Sequence, residues 1–335
     1  MDFGTTIRGN KIDCVSRLDE YINDDKKIKP YAAIPITGKC NFNCIYCRQG
    51  GEVTLGSGKE SLSFSDFKFM VDCAIELGIE DFRITGGEPF LHKDIIEMIS
   101  YIVSKKKYVI VNTNGVISSK LLKQLTKFFS SPYLDIVVSL DSLQGNQFNK
   151  ITGTKNKFTK VVETIFDLKE KGLLKRLNMV ITKINCHEII DMIRFCKKVP
   201  TNLSLLESIS VPSQFCKWDE LKTSLEDHRR YIDCVSNEIY VHDYTRNFGV
   251  PVLIYKLDNI FVSFKSLIGG GQYSDLCSVC DQYPCHAGLH HIKLLPDFKV
   301  SLCRWKIFGD STKEGFKESL RIALEHFERG RYVGG

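Results

Sequence analysis

The sequence has no apolar run that approaches the ~18–20 residues needed to cross a bilayer. Its N-terminal segment lacks the apolar centre of a secretory signal, so we expect a cytoplasmic location without a membrane anchor. Internal repeats and low-complexity segments are also missing. With 335 residues, 43% of them hydrophobic and 26% charged, the composition excludes wholesale disorder, collagen and coiled coil.

The sequence also has little excess of one charge sign, since 46 basic and 40 acidic residues give a net charge of +6. Its basic clusters, such as Lys105–Lys107 and the run at 169–176, carry no interleaved aromatic residues. This pattern is typical of solvated helix ends rather than of a nucleic-acid track. A nucleic-acid partner is therefore not expected.

Cysteine, in contrast, is abundant, with 13 residues. An odd number in a chain expected to be cytoplasmic argues against a disulfide framework. Seven cysteines form two groups: Cys40, Cys44 and Cys47, and then Cys277, Cys280, Cys285 and Cys303. The other six are expected to be small, buried apolar residues rather than ligands: Cys14, Cys73, Cys186, Cys196, Cys216 and Cys234.

Short β-branched runs alternate with longer helical patterns from residue 32 to about 208. The predicted strands are Ala32–Thr37, Asp81–Thr85, Val109–Thr113, Asp135–Leu140, Leu177–Thr182 and Leu203–Glu207. The predicted helices are Phe64–Leu77, Lys93–Ser104, Ser119–Phe129, Phe158–Lys171 and His187–Lys198. Strand–helix units in series require a parallel sheet, because each crossover returns the chain to the same edge.

Polar loops follow the C-terminal ends of successive strands, at 38–52, 85–92, 113–117 and 139–143. Such loops on one face of a parallel sheet favour a partial barrel over an open doubly wound sheet. After residue 208 the alternation stops, and we predict helices within 213–245 and at about 312–328. The predicted fold is α/β: an N-terminal extension at 1–30, a partial (β/α)6 TIM barrel at 31–210 and a C-terminal extension at 211–335.

The first cysteine group has the spacing C-x3-C-x2-C on one short loop. Three thiolates so placed can hold three corners of a 4Fe-4S cluster and leave one iron open for a substrate or cofactor. A structural zinc site would require a fourth Cys or His nearby, and the loop contains none.

Further motifs follow the next three predicted strands: TGGEP at 85–89, NTNG at 112–115 and SLD at 139–141. In this order, together with C-x3-C-x2-C, they resemble the radical S-adenosylmethionine (SAM) superfamily over residues 31 to about 208. The resemblance implies that Cys40, Cys44 and Cys47 hold the cluster that cleaves SAM. It implies SAM binding by Tyr46, Gly86, Gly87, Glu88, Pro89, Thr113, Asn114, Ser139 and Asp141.

The resemblance also implies the reaction class. Such enzymes reductively cleave SAM to a 5′-deoxyadenosyl radical, which removes a hydrogen atom from the substrate. The implied source of the electron is a flavodoxin- or ferredoxin-type protein.

The second cysteine group lies in the predicted C-terminal extension. Four thiolates suit a fully ligated 4Fe-4S cluster or tetrahedral zinc, and the spacing alone does not separate these. The radical SAM resemblance favours an auxiliary 4Fe-4S cluster of the twitch or SPASM type, held by three or four of Cys277, Cys280, Cys285 and Cys303.

Within the superfamily, the chain most resembles the GTP 3′,8-cyclases of molybdenum cofactor biosynthesis. The likeness lies in RITGGEPF (83–90), VNTNG (111–115), LNMVITK (177–183) and the terminal Gly-Gly. It implies five candidate substrate contacts: Arg83, Arg176, Lys293, Gly334 and Gly335.

The chain departs from that family where a triphosphate would bind, because Ala33, Asp81 and Ser204 stand where the cyclases carry basic residues. Three lost charge-assisted contacts, each worth ~1.5–3 kcal/mol, would remove much of the binding energy. The residues therefore predict a substrate other than GTP: a small molecule, such as a nucleotide or sugar, or a peptide. The alternatives are a GTP 3′,8-cyclase with a rearranged pocket and a non-enzymatic metal-binding module. Glu207, at the end of the sixth strand, is either a candidate acid or base facing the cavity or an ordinary buried strand-end carboxylate.

Overall fold

The structure is a computed structural model that describes residues 30–47, 61–129, 131–208, 218–224, 226–242, 252–265, 276, 279, 291–303 and 306–329. Several predicted site residues lie outside these ranges: Cys277, Cys280, Cys285, Gly334 and Gly335. In the described residues, no helix is both long enough and apolar enough to span a membrane.

The described residues contain the following strands and helices. The strands are β1 Tyr31–Pro35, β2 Asp81–Thr85, β3 Tyr108–Thr113, β4 Leu134–Ser139, β5 Leu174–Ile181, β6 Asn202–Glu207, β7 Glu238–His242, β8 Val252–Leu257, β9 Ile260–Lys265, β10 His291–Leu294, β11 Val300–Ser301 and β12 Ile307–Phe308. The α-helices are α1 Phe64–Glu76, α2 Ile95–Ser104, α3 Ser119–Leu125, α4 Gly145–Thr152, α5 Phe158–Glu170, α6 Ile189–Lys198, α7 Trp218–Leu221, α8 Glu226–Val235 and α9 Phe316–Arg329.

All these strands belong to one sheet, in the order β12-β11-β10-β1-β2-β3-β4-β5-β6-β9-β8-β7. Strands β1 to β6 are mutually parallel, as the six predicted strand–helix units require. Over the described part of the chain the sheet is not closed, because no pairing joins β12 to β7. The predicted partial barrel is confirmed.

The C-terminal part of the chain adds strands to both edges of the barrel. Strand β10 pairs in parallel with β1, and β9 pairs in parallel with β6. The region predicted as helical at 213–245 instead contains two helices and β7, so that prediction is wrong for its last part. Strand β7 pairs antiparallel with β8, and a hairpin of this kind is held by cross-strand pairs that helical periodicity does not reveal.

The sheet has two chemically different faces. On the outer face, Ile34, Ile84 and Val111 are fully buried in the main hydrophobic core, which also contains the helix residues. On the inner face, Ile110 and Val137 belong to a separate small apolar cluster. Because side chains alternate along a strand, the residues between the outer-face positions point into the barrel. We call this interior the lumen.

A serine side chain caps the start of α1. The Ser63 hydroxyl accepts a hydrogen bond from the Asp66 backbone N–H at 3.1 Å. Helix α9 packs on the same core as the barrel, since Phe316 at its start contacts both Phe69 of α1 and Phe298. The barrel and the described C-terminal residues therefore share one hydrophobic core.

Candidate active site

The first cysteine group lies on the loop that follows β1, at the C-terminal edge of the parallel strands. We call residues 38–47 the cysteine loop. Cys40 and Cys47 are exposed, and Cys44 is half-buried. The three thiols thus lie on one short loop, as the spacing predicts.

The end of α4 holds one side of the cysteine loop. The backbone N–H of Asn43 donates to the Thr152 carbonyl at 2.8 Å, and that of Ile45 donates to the Ile151 carbonyl at 2.9 Å. Gly153 ends the helix with φ +62°, and a Cβ there would lie 2.5 Å from the Asn43 carbonyl oxygen. Glycine is therefore required for the helix end to approach the loop.

The GGEP loop after β2 holds the other side. The Gly87 N–H donates to the Thr37 carbonyl at 2.5 Å, and the Glu88 N–H donates to the Lys39 carbonyl at 2.7 Å. A Cβ on Gly86 would lie 2.4 Å from the Thr37 oxygen, and one on Gly87 would lie 2.2 Å from the Lys39 oxygen. Both glycines therefore serve this close approach of two backbones.

Glu88 is a fully buried carboxylate at the end of β2, just before a short 3-10 helix that starts at Pro89. Its Oε1 accepts hydrogen bonds from the Phe90 N–H at 3.0 Å and the Thr113 hydroxyl at 2.7 Å. Its Oε2 accepts from the Asn114 N–H at 2.6 Å. Burial raises the pKa of Glu88 to about 7, against the opposite effect of these hydrogen bonds.

The loop after β3 connects this carboxylate to the cysteine loop. The side-chain amide of Asn114 donates to Asn41 Oδ1 at 2.7 Å, and Asn41 follows Cys40 directly. Two residues earlier, in β3, Asn112 Oδ1 is buried without a hydrogen-bond partner among the described residues. Asn112 points into the lumen, because it shares the face of Ile110.

A second buried carboxylate, Asp141, follows β4. Its Oδ2 accepts a hydrogen bond from the Tyr46 hydroxyl at 2.6 Å, and its Oδ1 accepts from the Val180 N–H at 2.8 Å. Burial raises the pKa of Asp141 to about 6. Ser139, half-buried, ends β4 two residues earlier. The structure thus brings the predicted SAM-binding residues to one edge of the barrel.

The charges at this edge suit a bound cationic group. Burial, Asp141 and the neighbouring thiols raise the pKa of Cys44 well above its usual value, and burial and Glu88 raise that of Cys40. Among the described residues, no three His, Cys, Asp or Glu side chains converge on a single metal ion. A 4Fe-4S cluster needs no such convergence, since each thiolate bonds a different iron. The cysteine loop therefore fits a cluster, and the buried acceptors beside it fit the ammonium group of SAM.

Cationic side chains lie deeper in the lumen. Lys293 of β10 and Arg83 of β2 both pair in register with Ala33 of β1, so the two cations flank this alanine on the inner face. The Arg83 guanidinium lies 4.5 Å from the centre of the Tyr31 ring, which stacks on His291. Arg83 Nε is buried without a hydrogen-bond partner in the described part of the chain.

A β-bulge in β5 adds two further cations. The register shifts between Ile136 and Val137, which pair with Leu174 and Arg176, so Lys175 is the extra residue. Lys175 Nζ donates to Asp135 Oδ2 and to the Tyr108 hydroxyl, both at 2.8 Å. Tyr108 is part of the inner-face cluster, so the Lys175 ammonium reaches the lumen.

Arg176, the predicted residue, donates from Nε to Asn178 Oδ1 at 3.2 Å. Of the two alternatives for Glu207, the structure favours the buried strand-end carboxylate, because Glu207 pairs with the outer-face residue Ile181 and shares the face of Leu205. Strand alternation therefore directs Glu207 away from the lumen, towards the helices.

Cys303 is the one member of the second cysteine group within the described residues, and it is half-buried against the main core. Strand β11 runs antiparallel to β10, so Cys303, two residues beyond Ser301, lies at the N-terminal edge of the barrel. The cysteine loop lies at the opposite edge.

Two residues that support the cysteine loop are not predicted from the sequence. Asn41 links the cysteine loop to Asn114, and Gly153 seats the end of α4 against the loop. A glycine after a short helical run is a recognised C-cap signal and could have revealed Gly153. No sequence signal indicates the contact of Asn41, because it depends on how two distant loops meet.

The fold, the cysteine loop and the buried carboxylates together define a radical SAM enzyme, and the model for the radical SAM superfamily matches residues 34–196. The chain belongs to this superfamily. It is homologous to a GTP 3′,8-cyclase of Helicobacter pylori (strain HPAG1), at 30% identity over 287 residues, which cover 84% of this chain and 82% of that protein. A GTP 3′,8-cyclase of Syntrophomonas wolfei is 31% identical over 68% of this chain and 69% of its own length.

The fold also resembles solved structures. The structure of anSMEcpe with bound AdoMet has a TM-score of 0.60 at 15% identity, with 91% of this chain and 83% of that chain covered. Streptococcus suis SuiB bound to the precursor peptide SuiA has a TM-score of 0.57 at 19% identity, with 86% and 64% covered. At these identities the likeness shows the fold alone.

Proposed function

We propose that this radical SAM enzyme acts on GTP as a 3′,8-cyclase with a rearranged pocket. The observation that carries the proposal is the row of Lys293, Ala33 and Arg83 across three adjacent strands. Ala33 itself is uncharged, but the two residues that pair with it on the neighbouring strands, Lys293 and Arg83, are both cationic. The similarity to GTP 3′,8-cyclases extends over most of the chain and supports the same reaction.

The lumen offers a reason for an anion to bind there. A buried donor left without a partner costs about 1–3 kcal/mol, and Arg83 Nε is such a donor within the described part of the chain. Phosphate oxygens would accept from the guanidinium in two parallel bonds, the geometry that arginine favours. Arg176 and Lys293 are the further candidate contacts, as predicted.

The residues of the barrel edge would prepare the reaction. Cys40, Cys44 and Cys47 would hold the cluster, while Glu88 would accept hydrogen bonds from the ammonium group of SAM. When bound, cluster and SAM supply the 5′-deoxyadenosyl radical that removes a hydrogen atom from the substrate. The apolar wall of Ile110 would exclude water from the lumen.

We further propose that Cys303, together with Cys277, Cys280 and Cys285, holds an auxiliary 4Fe-4S cluster. The position of Cys303 at the edge opposite the cysteine loop supports this proposal, since a substrate in the lumen would then lie between the two clusters. We expect about eight iron and eight sulfide per chain after anaerobic reconstitution. Cys303→Ser should lower the iron content towards four, and one zinc per chain instead would refute the second cluster.

A second candidate is a substrate other than GTP, either a small molecule or a peptide. The observation that favours it is Ser204, a neutral residue that faces the lumen. Its hydroxyl accepts a hydrogen bond from the Ser263 hydroxyl at 2.9 Å. An electron donor of flavodoxin or ferredoxin type and a cytoplasmic location belong to both proposals.

The test compares the two candidates directly. The reconstituted enzyme is incubated with SAM, a reductant and either GTP, ATP or no nucleotide, and 5′-deoxyadenosine and nucleotide products are measured. We expect GTP alone to stimulate 5′-deoxyadenosine formation and to yield the cyclic dihydropterin precursor. If GTP neither stimulates cleavage nor is consumed, the cyclase proposal is wrong.

A variant pair connects this activity to the lumen. Arg83→Gln removes one charge-assisted contact, so we expect KM for GTP to rise about tenfold or more, with little change in SAM cleavage without nucleotide. Arg194→Gln is the matched control, because Arg194 is exposed on α6 and ion-paired with Asp191. An unchanged KM in Arg83→Gln would contradict the anion site.

A further inference from the structure

A lysine-rich surface borders the cysteine loop. Residues 142–162 contain four lysines and no acidic residue. Lys150, Lys155 and Lys157 are exposed, and none of the three has an ion-pair partner among the described residues; we call them the lysine face. Lys160, in contrast, lies 3.7 Å from Glu163 and is left out.

The lysine face is physically joined to the cysteine loop. Lys150 lies in the last turn of α4, the helix whose last two carbonyls accept hydrogen bonds from the loop backbone. Lys155 and Lys157 follow Gly153, which touches Asn43 of the loop. The lysine face therefore borders the loop that carries Cys40 and Cys47.

On the other flank of the loop, Lys39 and Lys93 are both exposed and line one cleft. Positive charge thus lies on both sides of the cysteine loop, and Asp94 is the described carboxylate that lines the same cleft. An acidic surface placed over the loop would meet complementary charge on two flanks.

An electron carrier has to dock beside the loop that would hold the cluster, and the lysine face begins on the helix end that is hydrogen-bonded to this loop. We propose that the lysine face docks an acidic one-electron carrier protein, of flavodoxin or ferredoxin type. In the docked pair, the carrier loses one electron and the cluster held by Cys40, Cys44 and Cys47 gains it. The proposal rests on the radical SAM chemistry of the proposed function, and it does not depend on GTP as substrate.

The other lysine cluster of the barrel does not compete for this role. Lys105, Lys106 and Lys107 precede β3 and therefore lie at the N-terminal edge, opposite the cysteine loop. Two of them are already paired, Lys105 with Asp72 at 3.0 Å and Lys107 with Glu80 at 3.3 Å. They provide a control cluster with the same number of charges.

The test measures the rate of cluster reduction, without GTP, by a reduced flavodoxin or by dithionite. Two triple variants are compared: Lys150→Gln, Lys155→Gln, Lys157→Gln, and the control Lys105→Gln, Lys106→Gln, Lys107→Gln. Both lose three positive charges, so their net charge is the same. Charge complementarity accelerates association by about 10–10³-fold and weakens with salt.

We expect the first variant to lose at least about tenfold in flavodoxin-supported reduction at low salt, and to lose most of the salt dependence of the native protein. The control should stay within about twofold, and both should keep the native rate with dithionite. Replacement of the three lysines of the face by arginine should preserve the flavodoxin rate. Equal losses in both variants, or a native flavodoxin rate in the first, would overturn the proposal. A cyclase failure would leave these rates unchanged.

Discussion

Glu88 carries a negative charge inside the protein without a cationic partner among the described residues, and this predicts a specific pH dependence. The carboxylate is fully buried, and its pKa is raised to about 7 from 4.5. As the pH rises, Glu88 therefore loses its proton at a lower pH in the unfolded chain than in the folded protein. The free energy of unfolding must fall as the pH rises from 4.5 to about 7 and then remain level.

The magnitude follows from the pKa difference, at about 1.4 kcal/mol per unit. Above pH 7 the ionised carboxylate costs about 3 kcal/mol of stability in the protein without SAM. At pH 5.5 the cost is about 1 kcal/mol, so the change from pH 5.5 to pH 8.5 is about 2 kcal/mol. Glu88→Gln removes this titration. It also loses the hydrogen bond from the Asn114 N–H, but that loss is the same at both pH values.

The assay is denaturant-induced unfolding of the reduced apoprotein, native and Glu88→Gln, at pH 5.5 and pH 8.5. We expect the native protein to lose about 2 kcal/mol more than the variant over this range. Other titrating groups cancel in the comparison. A difference between the two proteins that is independent of pH would refute the reasoning. Since SAM would bring an ammonium group to the carboxylate, Glu88→Gln should also weaken SAM binding about tenfold to a hundredfold.

Two further predictions concern the cysteine loop. Gly87→Ala places a Cβ 2.2 Å from the Lys39 oxygen, so we expect iron incorporation and 5′-deoxyadenosine formation to be largely lost; Gly145→Ala, whose Cβ meets nothing closer than 3.6 Å, should keep both. Full iron content in Gly87→Ala would contradict the close approach. Tyr46→Phe removes the hydrogen bond to buried Asp141 and should lower the free energy of unfolding of the apoprotein by about 1–3 kcal/mol, measured by urea titration; no change would show that this bond does not stabilise the loop.

The sequence predicts the barrel well because its strands are short apolar runs between polar loops. Strand β2 has its predicted bounds, and β3 and β6 differ from theirs by one residue at the start. The pairing of β10 with β1 could not be predicted in the same way, since it joins segments about 260 residues apart. The sequence also does not predict helix α4, because its segment FNKITG (148–153) has too few apolar residues for a clear helical periodicity.

For the site, the motifs indicate which residues gather at the barrel edge, but not how they are bonded. Glu88 follows from GGEP, whereas its three donors depend on the meeting of two loops. For Glu207, the sequence does not indicate even which face of the sheet the side chain occupies. A single residue of register decides whether a strand-end carboxylate faces the lumen or the helices, and pattern alone did not settle it.

The pairing of β10 with β1 also has a consequence for synthesis on the ribosome. Strand β1 is translated well before its partner β10, which emerges only after about 260 more residues. Until then, β1 has an open edge that exposes unpaired N–H and C=O groups to other nascent chains. Lys293, one of the two cations beside Ala33, arrives with β10. The barrel therefore gains the strand that covers the edge of β1 and this part of its lumen in the same late step, and a chain that stops before residue 291 lacks both.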